Sequence, residues 1–132
     1  MKNEKEHYDV FLSYSHKDMA WVKEFATTLK SCGVTTWFDD NNIKPGDNWQ
    51  QSIEQALRES NTLVLVLSQS NVNSPWTFFE LGAAVADKKR IIPVLAGDID
   101  ITQVPLLVRN FQMLRTQSPA EAGKRVAEVI AA

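Results

Sequence analysis

Apolar and polar residues alternate along this chain in two recurring patterns. Short runs rich in β-branched, aromatic and leucine residues are typical of buried strands. They predict strands at 8–14, 34–38, 62–67 and 91–95, with a less regular one at 111–114. Between these runs, apolar residues recur at the three- and four-residue spacing of helices that bury one face. The chain is therefore predicted to alternate strand and helix.

Local signals indicate where the predicted helices begin. Asp18 begins the first helical pattern, which Gly33 ends, and Asp47 or Asn48 caps the second. Ser74-Pro75 and Ser118-Pro119 each combine an N-cap serine with a proline suited to the first helical position. A third and a fourth helix are therefore expected to begin at these two pairs.

The alternation of strands and helices predicts the fold class. It indicates right-handed crossovers and a flavodoxin-like α/β fold, a doubly wound sandwich around a central five-stranded parallel sheet. Because no repeat or long linker interrupts residues 1–132, we expect a single domain, whose short ends suggest that it was cut from a longer protein. Ligands of such sheets bind beyond the carboxyl ends of the strands. The segments to search are 13–17, 39–47, 68–76 and 96–100.

Composition and charge exclude several classes of function. The net charge of −2 gives no electrostatic case for nucleic acid, and the basic run 88–90 is predicted to cap a helix end. No apolar run could span a membrane and residues 1–7 are no signal peptide, so we expect a cytoplasmic protein. Cys32 cannot form an internal disulfide and is predicted to be a small core residue. His7 and His16 have no partners at ligand spacing, so no metal site is expected.

The third predicted helix is the most informative segment. Residues 76–86 are apolar nearly all round, so we expect this helix to be largely buried. Glu80 is their only ionisable side chain, and a buried carboxylate needs a partner or takes a raised pKa. Trp76 precedes it by four residues and so lies on the same helix face. The pair could form a pocket wall, but a capping or ion-paired Glu80 beside a core Trp76 is an equally good interpretation.

Two loops at the carboxyl ends of strands carry further polar groups. Residues 13–17 offer hydroxyls, an imidazole and an ammonium directly before a helix, and the start of a helix favours anions. Taken alone, however, Ser15 and Asp18 indicate ordinary helix caps. Asp39 and Asp40 could bind a metal or a ribose hydroxyl, but the turn residues after them favour a plain turn. No glycine-rich phosphate loop and no nucleophile elbow is present.

Taken together, these segments resemble a TIR (Toll/interleukin-1 receptor) domain of the bacterial, NAD-cleaving type. The resemblance covers residues 8–130 and preserves the order of the family's motifs. The segments that carry it are the opening strand 8–15 (YDVFLSYS), the second strand and BB loop 37–47, the third strand and third helix 63–81, and the fourth strand 91–94.

The resemblance implies one of two activities. Some members of this family are adaptors that associate through TIR–TIR contacts, whereas others cleave NAD between nicotinamide and ribose, and some of these cyclise the ADP-ribose. Glu80 stands where the enzymatic members place their catalytic glutamate, and Trp76-x-x-x-Glu80 matches a pattern of bacterial ones. The implied function is an NAD+ nucleohydrolase in bacterial defence or virulence signalling. NAD+ is then the substrate, and no cofactor is expected. The alternative is a non-catalytic interaction module.

The resemblance also implies a set of binding residues and a partner. The side chains that would line or border the dinucleotide site are Ser13, Tyr14, Ser15, His16, Asp39, Lys44 and Trp76. Where the family commonly has an additional basic residue after the first strand, this chain has Ser15 and His16, so its mode of binding the pyrophosphate stays open. Homotypic self-association that completes the site is expected.

The chemistry of NAD explains how a single carboxylate could be enough. Ordinary glycosidases need a second carboxyl group to protonate the departing oxygen, but the positively charged nicotinamide ring departs neutral. One ionised carboxylate can stabilise the oxocarbenium-like ribose that remains. A phosphoacceptor receiver domain is excluded because the third strand ends in Ser68-Gln69-Ser70 without an acceptor aspartate. A nucleoside deoxyribosyltransferase-like enzyme stays a rival.

Overall fold

The computed structural model describes residues 7–38, 49–115 and 118–132, except for the side chains of Phe38, 49–53, Trp76 and Leu107. The strands are β1 (Tyr8–Ser13), β2 (Thr36–Phe38), β3 (Ser60–Leu67), β4 (Arg90–Leu95) and β5 (Leu114–Arg115). The helices are α1 (Met19–Ser31), α2 (Trp49–Arg58), α3 (Pro75–Ala86), the short α4 (Leu106–Arg109) and α5 (Pro119–Ala131). Single 3-10 turns lie at His16–Asp18 and Ile101–Gln103. None of the helices within these ranges has the length and apolarity needed to cross a membrane.

The five strands form one parallel sheet in the order β2-β1-β3-β4-β5. The chain runs from β1 to β2 on one side and returns to β3 on the other, so the strand order reverses between β1 and β3. The register pairs Ser13, the last residue of β1, with Leu65 of β3. Loops that follow these two strands therefore meet at one edge, as the doubly wound fold predicts. The predicted flavodoxin-like α/β fold is confirmed.

The core consists of one apolar layer on each face of the sheet. Phe11 belongs to the layer beneath α2 and α3, whereas Val10 and Leu12 belong to the layer beneath α1 and α5. This separation follows from the two-residue period of a strand, which sends successive side chains to opposite faces. Residues 63–67 of β3 are fully buried, as the sequence predicts for a central parallel strand.

Helices α1 and α5 pack closely against each other at Gly123. A Cβ atom at this position would lie 2.8 Å from Cβ of Thr28 and 3.0 Å from the carbonyl oxygen of Phe25. Because such distances are closer than packed atoms tolerate, only glycine allows the two helices to touch here without a shift.

The two strands at the β4–β5 side differ from the prediction. β5 is Leu114–Arg115 rather than 111–114, and Phe111 packs against the core from the preceding loop. Pro93 is predicted near an edge or a strand end, yet β4 lies inside the sheet. In the described residues β5 pairs with β4 at Val94 and Leu95, which follow Pro93. Pro93 has no backbone N–H to donate, and this is tolerated because β5 does not extend back to the level of Pro93.

Two predictions about burial are wrong. Helix α3 is not largely buried, since Phe78 and Val85 on its outer face are 38% and 43% exposed. The helix covers the sheet with its inner face, and nothing in the described residues covers the other. Cys32 is exposed rather than part of the core. It follows the last residue of α1, where the chain turns at Gly33 with a φ of 84° and leaves the helix face that points inward.

The basic run after α3 caps helix ends, as the sequence predicts, but these belong to other helices. Lys89 Nζ donates a hydrogen bond of 2.8 Å to the carbonyl of Arg58, the last residue of α2. Arg90 Nη1 donates one of 3.0 Å to the carbonyl of Val129 in the last turn of α5. Cations at these carboxyl ends satisfy exposed carbonyls and complement the helix dipole.

Candidate active site

Glu80 lies on the inner face of α3, at the edge where the carboxyl ends of β1 and β3 meet. Helix α3 begins after β3 with Ser74 at the N-cap position and Pro75 at the first position, as predicted, although the Ser74 side chain makes no capping hydrogen bond. Its inner face places Leu81 and Ala84 in the core layer, and Glu80 on the same face is 2% exposed. The lone ionisable side chain of the apolar segment is thus a buried carboxylate.

One partner of this carboxylate is Ser13, which stands 67 residues earlier at the end of β1. Ser13 Oγ donates a hydrogen bond to Glu80 Oε1 at 2.5 Å. This length is in the range of charge-assisted bonds from a hydroxyl to an ionised carboxylate. Ser13 shares the face of Phe11, toward α2 and α3, because it follows Phe11 by two residues in the strand. The pleat of β1 therefore directs the hydroxyl at the helix.

One side of this pair borders an apolar core layer. The register partner of Ser13 is Leu65, and Leu65 and Leu67 are fully buried in the same core layer as Leu81. Electrostatic interactions in such an environment are weakened less by solvent than they are at the surface. A carboxylate here can therefore stabilise positive charge on a substrate strongly.

A second carboxylate–hydroxyl pair lies at the same edge. Ser68, the first residue after β3, donates from Oγ to Asp18 Oδ2 at 2.5 Å. The amide of Ser68 donates to Asn71 Oδ1 at 2.9 Å, and Asn71 Nδ2 donates to the carbonyl of Val66 at 2.8 Å. Asp18 occupies the N-cap position of α1, but its side chain makes no capping bond to that helix, so the predicted ordinary cap is wrong. Its carboxylate instead joins the start of α1 to the loop after β3.

The structure spreads the predicted binding residues after β1 over different environments. Tyr14 packs in the core layer beneath α1, on the opposite face from Ser13. Ser15 caps the short 3-10 turn, since its Oγ accepts a hydrogen bond of 3.2 Å from the Lys17 amide, as its predicted role as a cap requires. His16 is exposed, with its ring 5.8 Å from that of Tyr14. Ser13, in contrast, lies within hydrogen-bonding distance of Glu80.

The remaining predicted site residues lie partly or wholly outside the described residues. The backbone of Trp76 is in the first turn of α3, one turn before Glu80, but its side chain is not described. Asp39 and Lys44 fall within 39–48 and are outside as well. Their binding roles stay predictions. A cavity of about 320 Å³ lies between α2 and α3, lined by Leu57 and Phe79 among others, and Glu80 is not among its lining residues.

The contact between Ser13 and Glu80 is what the sequence analysis missed. It placed Ser13 among the residues that line the dinucleotide site and gave Glu80 no specific partner. A signal was available in the two-residue period of β1, which puts Ser13 on the face of Phe11. With β1 next to β3 in the sheet, that face lies beneath the helix that follows β3. The members of the pair Asp18–Ser68, in contrast, both lie outside the strands, so no strand period indicates where their side chains point.

Comparison with known proteins identifies the family of this chain. A family model described as TIR domain matches residues 10–129. The probable 2′ cyclic ADP-D-ribose synthase TcpO of Methanobrevibacter olleyae is 34% identical over 118 residues, 86% of this chain and 34% of that protein. The NAD(+) hydrolase TcpC of Escherichia coli is 31% identical over 107 residues, 77% of this chain and 35% of that protein. The chain thus spans about a third of the length of these relatives.

A solved structure shows the same fold. A metazoan TIR-STING receptor from C. gigas, in complex with 2′,3′-cGAMP, is similar with a TM-score of 0.81 at 22% identity, over 99% of this chain and 42% of that one. The family match covers nearly all the strands and helices described above, together with Glu80 and Ser13. The chain belongs to the TIR domain family.

Proposed function

We propose that this chain cleaves NAD+ between nicotinamide and ribose, as an NAD+ glycohydrolase or ADP-ribosyl cyclase. The observation that carries the proposal is the carboxylate of Glu80, buried in an apolar layer at the sheet edge and held by the hydroxyl of Ser13. Relatives named as an NAD(+) hydrolase and as a probable 2′ cyclic ADP-D-ribose synthase support the substrate. The products are nicotinamide and either ADP-ribose or a cyclic isomer of it.

The proposed reaction needs one carboxylate. The bond between ribose C1′ and the pyridinium nitrogen breaks, and its electron pair neutralises the ring, so nicotinamide departs without protonation. The positive charge that develops on C1′ and the ring oxygen is stabilised by the ionised carboxylate of Glu80. Water that adds to C1′ and loses a proton gives ADP-ribose, whereas addition of a hydroxyl of the same molecule gives a cyclic product.

The folded chain supplies the electrostatics in advance. The carboxylate of Glu80 is 2% exposed, so little solvent separates it from a substrate cation placed against it. Its orientation is set before the substrate arrives, because β1 and α3 are both packed on the core. Groups that do not reorganise during the reaction stabilise a transition state more effectively than mobile ones.

The other predicted residues take binding roles in this proposal. Trp76, one helical turn before Glu80, stacks on the flat nicotinamide ring. Ser15 and His16 after β1, with Asp39 and Lys44 in the BB loop, border the rest of the dinucleotide. The sequence pattern and the family resemblance support these assignments. As written, the reaction uses no cofactor and no metal.

Homotypic association and a cytoplasmic location complete the proposal. The family resemblance supports contacts between TIR domains that order the BB loop and complete the site, in a signalling role in bacterial defence or virulence. Turnover per chain should therefore rise with protein concentration. Measuring nicotinamide release over a dilution series tests this, and a turnover per chain that is constant across the series would contradict it.

Incubation with NAD+ tests the proposed function. Chromatography of the products should show nicotinamide together with ADP-ribose or a cyclic isomer, and Glu80→Ala should lower the rate about 100-fold or more. Nucleosides are offered in parallel to test the deoxyribosyltransferase-like rival. Release of bases from nucleosides and not from NAD+ would favour that rival, and a folded chain inactive on both would favour the interaction module.

A further inference from the structure

We propose that Ser13 is a positioning residue whose hydroxyl holds the Glu80 carboxylate in its reactive orientation, rather than a residue that contacts the dinucleotide. This inference rests on the proposed NAD+ cleavage. It assigns to Ser13 a role different from the one that the family resemblance implies for it.

The hydrogen bond leaves Ser13 poorly suited to binding a phosphate. A serine hydroxyl has one proton to donate, and Ser13 donates it to Glu80 Oε1 at 2.5 Å. A phosphate oxygen accepts hydrogen bonds and does not donate them. Contact with the pyrophosphate would therefore require Ser13 to break its bond to the carboxylate.

The same hydrogen bond answers a geometric need of Glu80. The terminal torsion of a glutamate side chain is broad, so the helix alone does not fix the plane of the carboxylate. A donor on Oε1 fixes that plane, and this donor is the last residue of β1, paired with Leu65 of β3. Misplacing a reacting group by about 1 Å can cost roughly 100-fold in rate. Loss of the hydroxyl should therefore lower the rate of the chemical step.

A second buried serine provides a matched control. Ser60 begins β3 at the opposite end of the sheet, is 1% exposed and donates from Oγ to the carbonyl of Ala56 at 2.7 Å. Like Ser13 it is a strand serine with a short, buried hydrogen bond, but its acceptor is a helix backbone. Ser60→Ala therefore reports what the loss of such a bond does to folding alone.

The test compares kcat and KM for NAD+ among four proteins: the unchanged chain, Ser13→Ala, Ser13→Thr and Ser60→Ala. Ser13→Ala should lower kcat by about 10- to 100-fold and change KM by less than about threefold. Ser13→Thr keeps a hydroxyl on the strand and should recover most of kcat. Ser60→Ala should keep kcat per folded chain, whatever it does to stability.

A double-mutant cycle with Glu80→Asp tests whether Ser13 acts through the carboxylate, and it does not depend on the threonine variant folding. Aspartate is one methylene shorter and withdraws the carboxylate from the hydroxyl. Ser13→Ala should then cost less than about threefold in kcat in that background, because the two effects are not additive. Full additivity would overturn the inference.

The other outcomes separate the inference from the proposed function. A raised KM with unchanged kcat in Ser13→Ala would make Ser13 a binding residue, and an equal loss in Ser60→Ala would make its effect structural. If the unchanged chain cleaves NAD+ and Ser13→Ala is fully active, the inference fails alone. If the unchanged chain releases no nicotinamide, the proposed function fails and the inference fails with it.

Discussion

Two carboxylates at one edge of the sheet each accept a 2.5 Å hydrogen bond from a serine, yet they occupy very different surroundings. Glu80 is 2% exposed and lies in the middle of an apolar helix face. Asp18 is half-buried at the start of α1, and its partner Ser68 belongs to a loop cross-linked by Asn71. Asp18 thus joins two loops, whereas Glu80 joins a strand to a helix that already share a core layer.

The comparison separates stability from chemistry. Removing a carboxylate from water is costly, and a buried pair is often no more stabilising than apolar residues of similar size. At Glu80 a leucine would suit the packing of α3, so stability does not explain the charge. At Asp18 solvent still reaches the group, and the bond joins the start of α1 to the loop after β3. The first pair is explained by reactivity and the second by structure.

Moving the charge of Glu80 without removing it should lower activity strongly. Glu80→Asp keeps the carboxylate but withdraws it from Ser13, so kcat for nicotinamide release should fall about 100-fold. The matched change at the other pair, Asp18→Glu, should alter kcat by less than about threefold. Steady-state kinetics of both variants checks this. Equal losses would remove the distinction between the two pairs.

Removing the structural carboxylate should act on stability instead. Asp18→Ala deprives the buried hydroxyl of Ser68 of its acceptor and should lower the free energy of unfolding by about 1–3 kcal/mol. Urea unfolding measures this change, and nicotinamide release is then compared per folded chain. A variant with unchanged stability and lost activity would place Asp18 in the catalytic machinery.

Replacing both members of the functional pair by apolar residues should change stability little. The double variant Ser13→Ala/Glu80→Leu removes the donor and the acceptor of this hydrogen bond together, so its free energy of unfolding should stay within about 1 kcal/mol of the unchanged chain or exceed it. The same measurement on Ser68→Ala/Asp18→Leu provides the contrast and should show a loss. If the Glu80 pair proved the more costly to replace, it would be the structural one.

A third carboxylate at this edge, Asp100, extends the comparison to an exposed group with a small effect. The Thr102 amide donates to Asp100 Oδ1 at 2.9 Å, and this hydrogen bond lowers the pKa of Asp100 below its ordinary value of 3.8. A lowered folded-state pKa gives stability that is complete above 3.8 and is lost as the pH falls through the folded-state pKa. The stability difference between the unchanged chain and Asp100→Ala should shrink as pH is lowered below that value. A difference that grew on acidification would contradict this.

Most of the fold could be predicted because strands and helices carry strong local patterns. The run at 62–67 and the proline-initiated helices at Ser74-Pro75 and Ser118-Pro119 lie where the sequence predicts them. The last strand could not be placed, because apolar residues such as Phe111 and Met113 pack on the core from a loop and imitate a strand. Short α4 carries too few residues for a helical period to emerge.

Of the site, the sequence analysis names both Glu80 and Ser13 but not the contact between them. Glu80 stands out as the lone charge in an apolar segment, which is a local signal. Its contact with Ser13 depends on which strands are neighbours and where a helix crosses them, and these are properties of the assembled fold. The family resemblance groups Ser13 and Tyr14 together, but Ser13 ends β1 on the face toward α3, whereas Tyr14, the residue after the strand, packs in the core layer on the other face.

One pair of variants separates the two carboxylates most directly. Each variant removes the charge but keeps the size of the side chain and an oxygen that can accept the hydrogen bond from the serine. Glu80→Gln and Asp18→Asn are assayed side by side with the unchanged chain for nicotinamide release from NAD+, at equal concentrations of folded protein. The reactive role of Glu80 predicts a loss of about 100-fold or more for Glu80→Gln and a change of less than about threefold for Asp18→Asn. A Glu80→Gln variant as active as the unchanged chain would contradict it.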